Sequence, residues 1–147
     1  MLQQDLAPTV LEIMGHGEKV VGMDGRSALP VIDGERKGNY SEFYLTECTW
    51  MRKRGWRTPH YKFIQALEED IHGKPPLELY DLVEDPGEDH NIADERPEVV
   101  RSLEARMEGW VSKRMRETGN PDPILRNRPS FRSQGYAMRR LAPRPRH

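Results

Sequence analysis

Leu77-Glu78-Leu79-Tyr80-Asp81-Leu82 alternates apolar with polar side chains and runs into Asp85-Pro86-Gly87-Glu88. A period of two predicts a strand with one face on a core. The Pro-Gly pair ends it in a tight turn, since proline presets one turn dihedral and glycine tolerates positive φ. A helical pattern follows. Pro97 suits a first helical position, and Asp94 and Glu95 favour the positive end of the helix dipole. Val100, Leu103, Met107, Trp110 and Val111 recur at three- and four-residue spacing, and Gly119 supplies a stop. Strand and helix each need an apolar partner, so the simplest arrangement is a sheet with the helix laid across it.

Earlier segments supply the other strands. Tyr40 to Cys48 places Phe43 and Leu45 on one face, and Tyr44 and Thr46 on the other. Trp50 to Trp56 is a basic stretch bracketed by tryptophans, with a hairpin bend expected at Arg54-Gly55; Tyr61 to Leu67 is placed to pair with it. The predicted fold class is α+β, a small antiparallel sheet covered by a long C-terminal helix. Ahead of the sheet, Asp5 is expected to N-cap a short helix with Pro8 in its first turn. That helix carries an apolar face of Val10, Leu11, Ile13 and Met14, closes at Gly15, and needs a packing surface that nothing before it supplies. Gly25 to Ile32 reads as a turn and a short helix.

The final segment changes character. Arg126, Arg128, Arg132, Arg139, Arg140, Arg144 and Arg146 stand there against one acid, Asp122, and five prolines forbid long helices. The expected division is 1–36, 37–119, and a basic Arg/Pro-rich extended tail at 120–147.

Composition narrows the function classes. The 147 residues suit one ordinary domain, but 35% hydrophobic against 32% charged residues makes a thin core. A net charge of −1 gives no whole-chain case for nucleic acid or membrane. No apolar run approaches the ~18 residues of a membrane span, and no basic region leads into an apolar stretch as in a secretory signal. Cys48 is the single cysteine, which excludes an internal disulfide.

Few motifs carry chemistry. The histidines His16, His60, His72, His90 and His147 include no pair at zinc-ligand helical spacing. The run Asp81, Glu84, Asp85, Glu88, Asp89 lacks the spacing of a calcium loop and reads as a solvated turn. Nucleophile-elbow and phosphate-loop patterns are absent from the sequence. Arg52, Lys53, Arg54, Arg57, His60 and Lys62, interleaved with Trp50, Trp56 and Tyr61, form a basic aromatic cluster. Such a cluster can grip sulfate or phosphate through paired donors, or stack single-stranded nucleic acid. The simpler reading is a charged sheet face with its tryptophan rings beneath the helix.

Several stretches in order resemble sulfatases of the alkaline phosphatase superfamily. Asp5-Leu6-Ala7-Pro8-Thr9 is similar to their DLAPT helix start, and Gly25-Arg26-Ser27-Ala28-Leu29-Pro30 to their GRSLLP element. Arg57-Thr58-Pro59-His60-Tyr61-Lys62-Phe63-Ile64 is similar to RTxxYKYI. Leu77 through Asp94 resembles the ELYDLxxDPGExxNLA signature near the C-terminus. The likeness spans about residues 5 to 119 and is nearest the N-sulfoglucosamine sulfohydrolase type.

The resemblance implies that 1–36 is the trailing end of a missing large α/β catalytic domain and that 37–119 is the small C-terminal subdomain. It implies sulfate-ester or sulfamate hydrolysis for the intact protein, with calcium and formylglycine as its cofactors. Neither cofactor is expected in this chain. Family sulfatases carry C-x-P-S-R at the nucleophile, whereas Cys48-Thr49-Trp50-Met51-Arg52 keeps only Cys and Arg. No family catalytic or calcium position therefore transfers, and the chain is expected to be an inactive C-terminal fragment. Because the subdomain walls the substrate cleft in the family, Arg52, Arg54 and His60 are the substrate-binding candidates. Expected partners are the missing catalytic domain and a sulfated small molecule or glycan. Two alternatives stand: a module binding an anionic glycan or nucleic acid, and a phosphate- or phosphonate-ester hydrolase of the same superfamily.

Overall fold

The structure, a computed structural model, describes residues 1–48 and 51–126. Trp50 of the basic cluster and residues 127–147 of the predicted tail lie outside the described residues. The chain forms two compact units, Met1–Ser41 and one beginning at Glu42.

In the first unit a 3-10 turn, Gln3–Asp5, runs into helix α1, Leu6–Ile13. Gly15 follows at φ 77°, the left-handed geometry expected of a helix stop. A second short helix, α2, covers Leu29–Ile32. Asp5 precedes α1 but does not cap it, since its side chain makes no cap hydrogen bond. Its carboxylate is fully buried and accepts from Leu2 N at 2.8 Å, Arg26 N at 3.0 Å and Tyr40 OH at 2.6 Å. Two sequence-distant donors, Arg26 N and Tyr40 OH, join the local Leu2 N–H on the carboxylate, and Asp5 becomes the hub of the unit. A Cβ on Gly25 would fall 1.9 Å from Gln4 O, so glycine is required where the two segments meet. Leu6, Val10 and Ile13 of α1 and Met14 just after it are exposed.

The second unit is a four-stranded antiparallel sheet in the order β1-β2-β3-β4. The strands are β1 Phe43–Glu47, β2 Lys53–Arg57, β3 Tyr61–Ala66 and β4 Leu77–Asp81. Helix α3, Pro97–Thr118, ends at Gly119 with φ 68°, and a single turn, α4, covers Pro123–Arg126. This is the α+β arrangement that the alternating strand and the three-four helical spacing predict. No helix among the described residues is long and apolar enough to cross a membrane.

Register decides which residues share a face. Tyr44, Trp56, Phe63 and Leu79 lie abreast and form the core with Val100, Leu103 and Met107 of α3. Phe63, Leu79 and Met107 are excluded from solvent, each worth about 1.5–3 kcal/mol of burial. Trp110 of α3 lies over Tyr44 with ring centroids 4.9 Å apart, and Trp56 Nε1 donates to Glu42 Oε2 at 2.7 Å. Burial of the Trp56 ring under the helix is thus the structural role its stretch suggested.

The expected bend at Arg54-Gly55 does not exist. Gly55 is the middle residue of β2, paired with Leu45 on one side and Ile64 on the other. A Cβ there would meet Phe63 O at 2.3 Å. This glycine serves close backbone approach inside a sheet, the less common meaning of an Arg-Gly step. The hairpin reverses at Thr58–His60, where Thr58 N donates to Tyr61 O at 2.8 Å.

Candidate functional site

The sheet has a second face, opposite α3, and its composition follows from the same register. Phe43, Arg57, Lys62 and Tyr80 form one row across the strands, and Leu45, Gly55, Ile64 and Glu78 the next. A cleft of about 410 Å³ opens over them. Its floor is apolar, from Leu45, the bare Gly55 backbone and Ile64, and its rim is charged, from Lys53, Lys62, Lys74, Glu78 and Glu88. An apolar floor with a few convergent polar groups is the usual build of a small-ligand site.

One end of the rim is an ion network. Lys53 Nζ lies 2.5 Å from Asp70 Oδ2 and 3.0 Å from Glu78 Oε1. Lys74 Nζ lies 3.2 Å from Glu78 Oε2, and Tyr80 OH donates to that oxygen at 2.6 Å. Glu78 is only 2% exposed. Burial alone would raise its pKa, but the hydrogen bonds from Tyr80 and Lys53 hold it below the ordinary carboxylate range. Asp70 follows the same logic, burial being overcome by Lys53 and by the His72 backbone N–H. Lys53 is shifted upward; desolvation opposes its charge, and Asp70 and Glu78 outweigh that.

The other end is built from the turn after β4. Glu88 bonds Lys62 Nζ and lies 3.8 Å from Arg57 Nη1. Its backbone sits at φ 59°, the single non-glycine residue at positive φ among the described residues. Its acidic neighbours close the turn on backbone donors. Asp81 Oδ1 accepts from Val83 N and Glu84 N, and Asp85 Oδ2 from His90 N at 2.9 Å. The His90 N–H, foremost, lowers the Asp85 pKa.

Residues for a calcium or a formylglycine do not fit here. Calcium needs six to eight converging oxygens. The turn carboxylates are spent on their own backbone, and no three His, Cys, Asp or Glu among the described residues are placed to hold a metal ion. Cys48 lies just past β1 with the buried Met51 where the modification motif requires serine.

The three sequence candidates are not brought together. Arg54 points to the helix face, donating from Nε to Gln65 Oε1 at 2.8 Å and bonding Glu108 of α3. Arg52 sits before β2, its Nε 3.6 Å from Glu68 Oε1 and its Nη1 donating to Leu125 O at 3.2 Å. His60 is exposed in the β2–β3 turn, at the far end of the same strand from Arg52. Sequence reasoning missed Asp70, Lys74, Glu78 and Tyr80. The signal was available for two of them: Glu78 and Tyr80 alternate with Leu77 and Leu79, so they share a face with Ile64 and Lys62 once β3 and β4 pair.

Residues 1–114 match the family described as N-sulphoglucosamine sulphohydrolase, C-terminal. The ulvan-active sulfatase of Formosa agariphila is 31% identical, over 60% of this chain and 24% of the relative. A solved 2-O GAG sulfatase is 25% identical with a TM-score of 0.60, covering 84% of this chain and 28% of its own. A protein solved with its substrate D-glucosamine-2-N,6-O-disulfate shares the fold at a TM-score of 0.60 and 24% identity, over 84% of this chain and 25% of its own. The chain spans about a quarter of the length of these relatives. It belongs to the sulfatase family, in its C-terminal, N-sulphoglucosamine sulphohydrolase-type region.

Proposed function

We propose that this chain is the C-terminal subdomain of a sulfatase-type hydrolase of sulfated glycans and catalyses nothing by itself. In this reading residues 1–36 trail from a larger α/β catalytic domain, 37–119 are the small subdomain, and 120–147 are a basic tail. The observation that carries it is the match of residues 1–114 to a C-terminal sulfatase region, in a sequence whose one cysteine stands in C-T-W-M-R. Formylglycine and calcium belong to the catalytic domain in this reading. Sulfate-ester or sulfamate cleavage is the reaction of the whole enzyme. The ulvan-active and GAG relatives support a sulfated polysaccharide as its substrate.

The test is an aryl-sulfate assay of the purified chain, co-expressed with the formylglycine-generating enzyme and supplied with calcium. No turnover is expected. Turnover that depends on Cys48 would overturn the reading. Substrate contact by Arg52, Arg54 and His60 is a further part of it, supported by the basic character of that stretch. Arg52 and His60 have side-chain atoms open to solvent, whereas Arg54 would first have to release Glu108. Salt-sensitive retention on heparin that survives Arg52→Ala and His60→Ala unchanged would remove these residues from the site.

A further inference from the structure

We propose that Lys62, at the rim of the open-face cleft, and its cross-strand partner Arg57 form a subsite for a sulfate group on a saccharide, and that Glu88 occupies it as an internal stand-in. The choice of a sulfated saccharide rests on the functional reading above; the subsite rests on geometry.

Lys62 and Arg57 are direct cross-strand partners, so their side chains rise side by side from β3 and β2. Two cations abreast repel one another and need an anion between them. Glu88 supplies it, with one oxygen bonding Lys62 Nζ and the other 3.8 Å from Arg57 Nη1. Only the Lys62 contact is close, and Arg57 keeps donors unspent on this carboxylate. All three side chains remain partly open to solvent, at 23% for Lys62, 40% for Arg57 and 27% for Glu88. An incoming anion can therefore reach the pair without unfolding anything.

Glu88 is also held at a backbone cost. A non-glycine residue at φ 59° is strained, and such strain persists where surrounding contacts over-determine it. A sulfate monoester has the same charge and more acceptor oxygens, and it can use the Arg57 fork that Glu88 leaves slack.

The rest of the cleft suits the sugar that would carry the sulfate. Gly55 presents bare backbone between Leu45 and Ile64, a flat apolar floor beside the pair. The Lys53–Glu78 ion pair, with Lys74, borders the far end of that floor. The volume of about 410 Å³ is of the size taken by a small ligand rather than a lone ion.

The test is calorimetric binding of a sulfated heparin disaccharide to the full chain, beside its desulfated counterpart and inorganic sulfate. Glu88→Gln should tighten the sulfated disaccharide about fivefold, the equivalent of one exposed ion pair, and leave the desulfated one unchanged. Lys62→Gln should weaken it by a similar factor. Inorganic sulfate should bind more weakly than the disaccharide, because it leaves the floor uncovered. An unchanged affinity in Glu88→Gln, or equal tightening for the desulfated sugar, would overturn the proposal. If Glu88→Gln fails to fold, Lys62→Gln and Arg57→Gln decide, and wild-type affinity in both would sink it. Binding is read without turnover, so hydrolysis by the chain would refute the functional reading and leave this subsite standing.

Discussion

Asn91 lies against the outer edge of β4 like one more residue of the sheet, its Oδ1 accepting the Leu79 N–H at 2.9 Å. Its Nδ2 donates to Leu77 O at 3.1 Å, and the next residue, Ile92, donates its N–H to Leu79 O at 2.9 Å. β4 is the last strand in the order, and an edge strand leaves a row of backbone groups unpaired. The side-chain amide meets two of them and fixes how the turn after β4 returns to start α3. Asn91→Ala should cost about 1–3 kcal/mol, since the Leu79 N–H and Leu77 carbonyl lose their partners beside the core. Urea unfolding of the two proteins measures this, and an unchanged midpoint would show the amide to be dispensable.

Gly55 carries a sharper expectation. With Phe63 O at 2.3 Å from any added Cβ, Gly55→Ala must push β2 and β3 apart at their centre. Overpacking of this kind costs about 1–3 kcal/mol. A thermal melt reads the loss. The same variant at the bend the sequence suggests would have been tolerated, so the result separates the two placements.

Stability should fall in acid through Asp5. Burial opposes its charge, but the Tyr40 hydroxyl and the Leu2 and Arg26 N–H groups hold its pKa below the ordinary value. A carboxyl depressed in the folded state adds stability above the unfolded pKa of about 3.9, and that share is lost as pH falls through the folded pKa. Glu78 and Asp70 act in the same direction. Asp5→Asn should be less stable at pH 7 and should lose less on going to pH 3. Denaturation curves at both values decide, and parallel losses in the two proteins would exclude Asp5 as a contributor.

At the alkaline end the sign reverses. Burial first, then the hydrogen bond to Asp122, pushes the Tyr44 phenol upward; burial and Glu78 do the same for Tyr80. Lys53 is raised as well. Groups raised in the folded state stabilise fully below their unfolded pKa, about 10 for both types, and lose that contribution as pH climbs through the folded value. Titration followed at 295 nm should show Tyr44 and Tyr80 ionising only as the chain unfolds. Tyr80→Phe should flatten the stability loss above pH 10, and a slope equal to wild type would be evidence against this role.

Much of the fold was legible because it rests on local periodicity. Alternation at Leu77 to Asp81 marked β4, and the spacing of Val100, Leu103, Met107 and Val111 marked the buried stripe of α3. Pro97 and Gly119 bound that helix because each suits one special backbone position. The family was legible too, since its signature lies in those same local turns and strand ends.

What only the tertiary structure decided was the partner of each charged or small residue. Asp5 has the composition of a helix cap, yet Arg26 N and Tyr40 OH from elsewhere in the chain claim it together with the nearby Leu2 N. Arg54 looks like surface charge, but strand alternation turns its side chain to α3 and Glu108 while Lys53 and Gly55 beside it line the cleft. Glu78 is buried with its charge met by Lys74 and Tyr80 close by in sequence and by Lys53, which strand pairing brings from β2. Backbone pattern is set by neighbours within a few residues and can be read along a line. Charge pairing and close approach depend on strand register, which exists only once the sheet has formed.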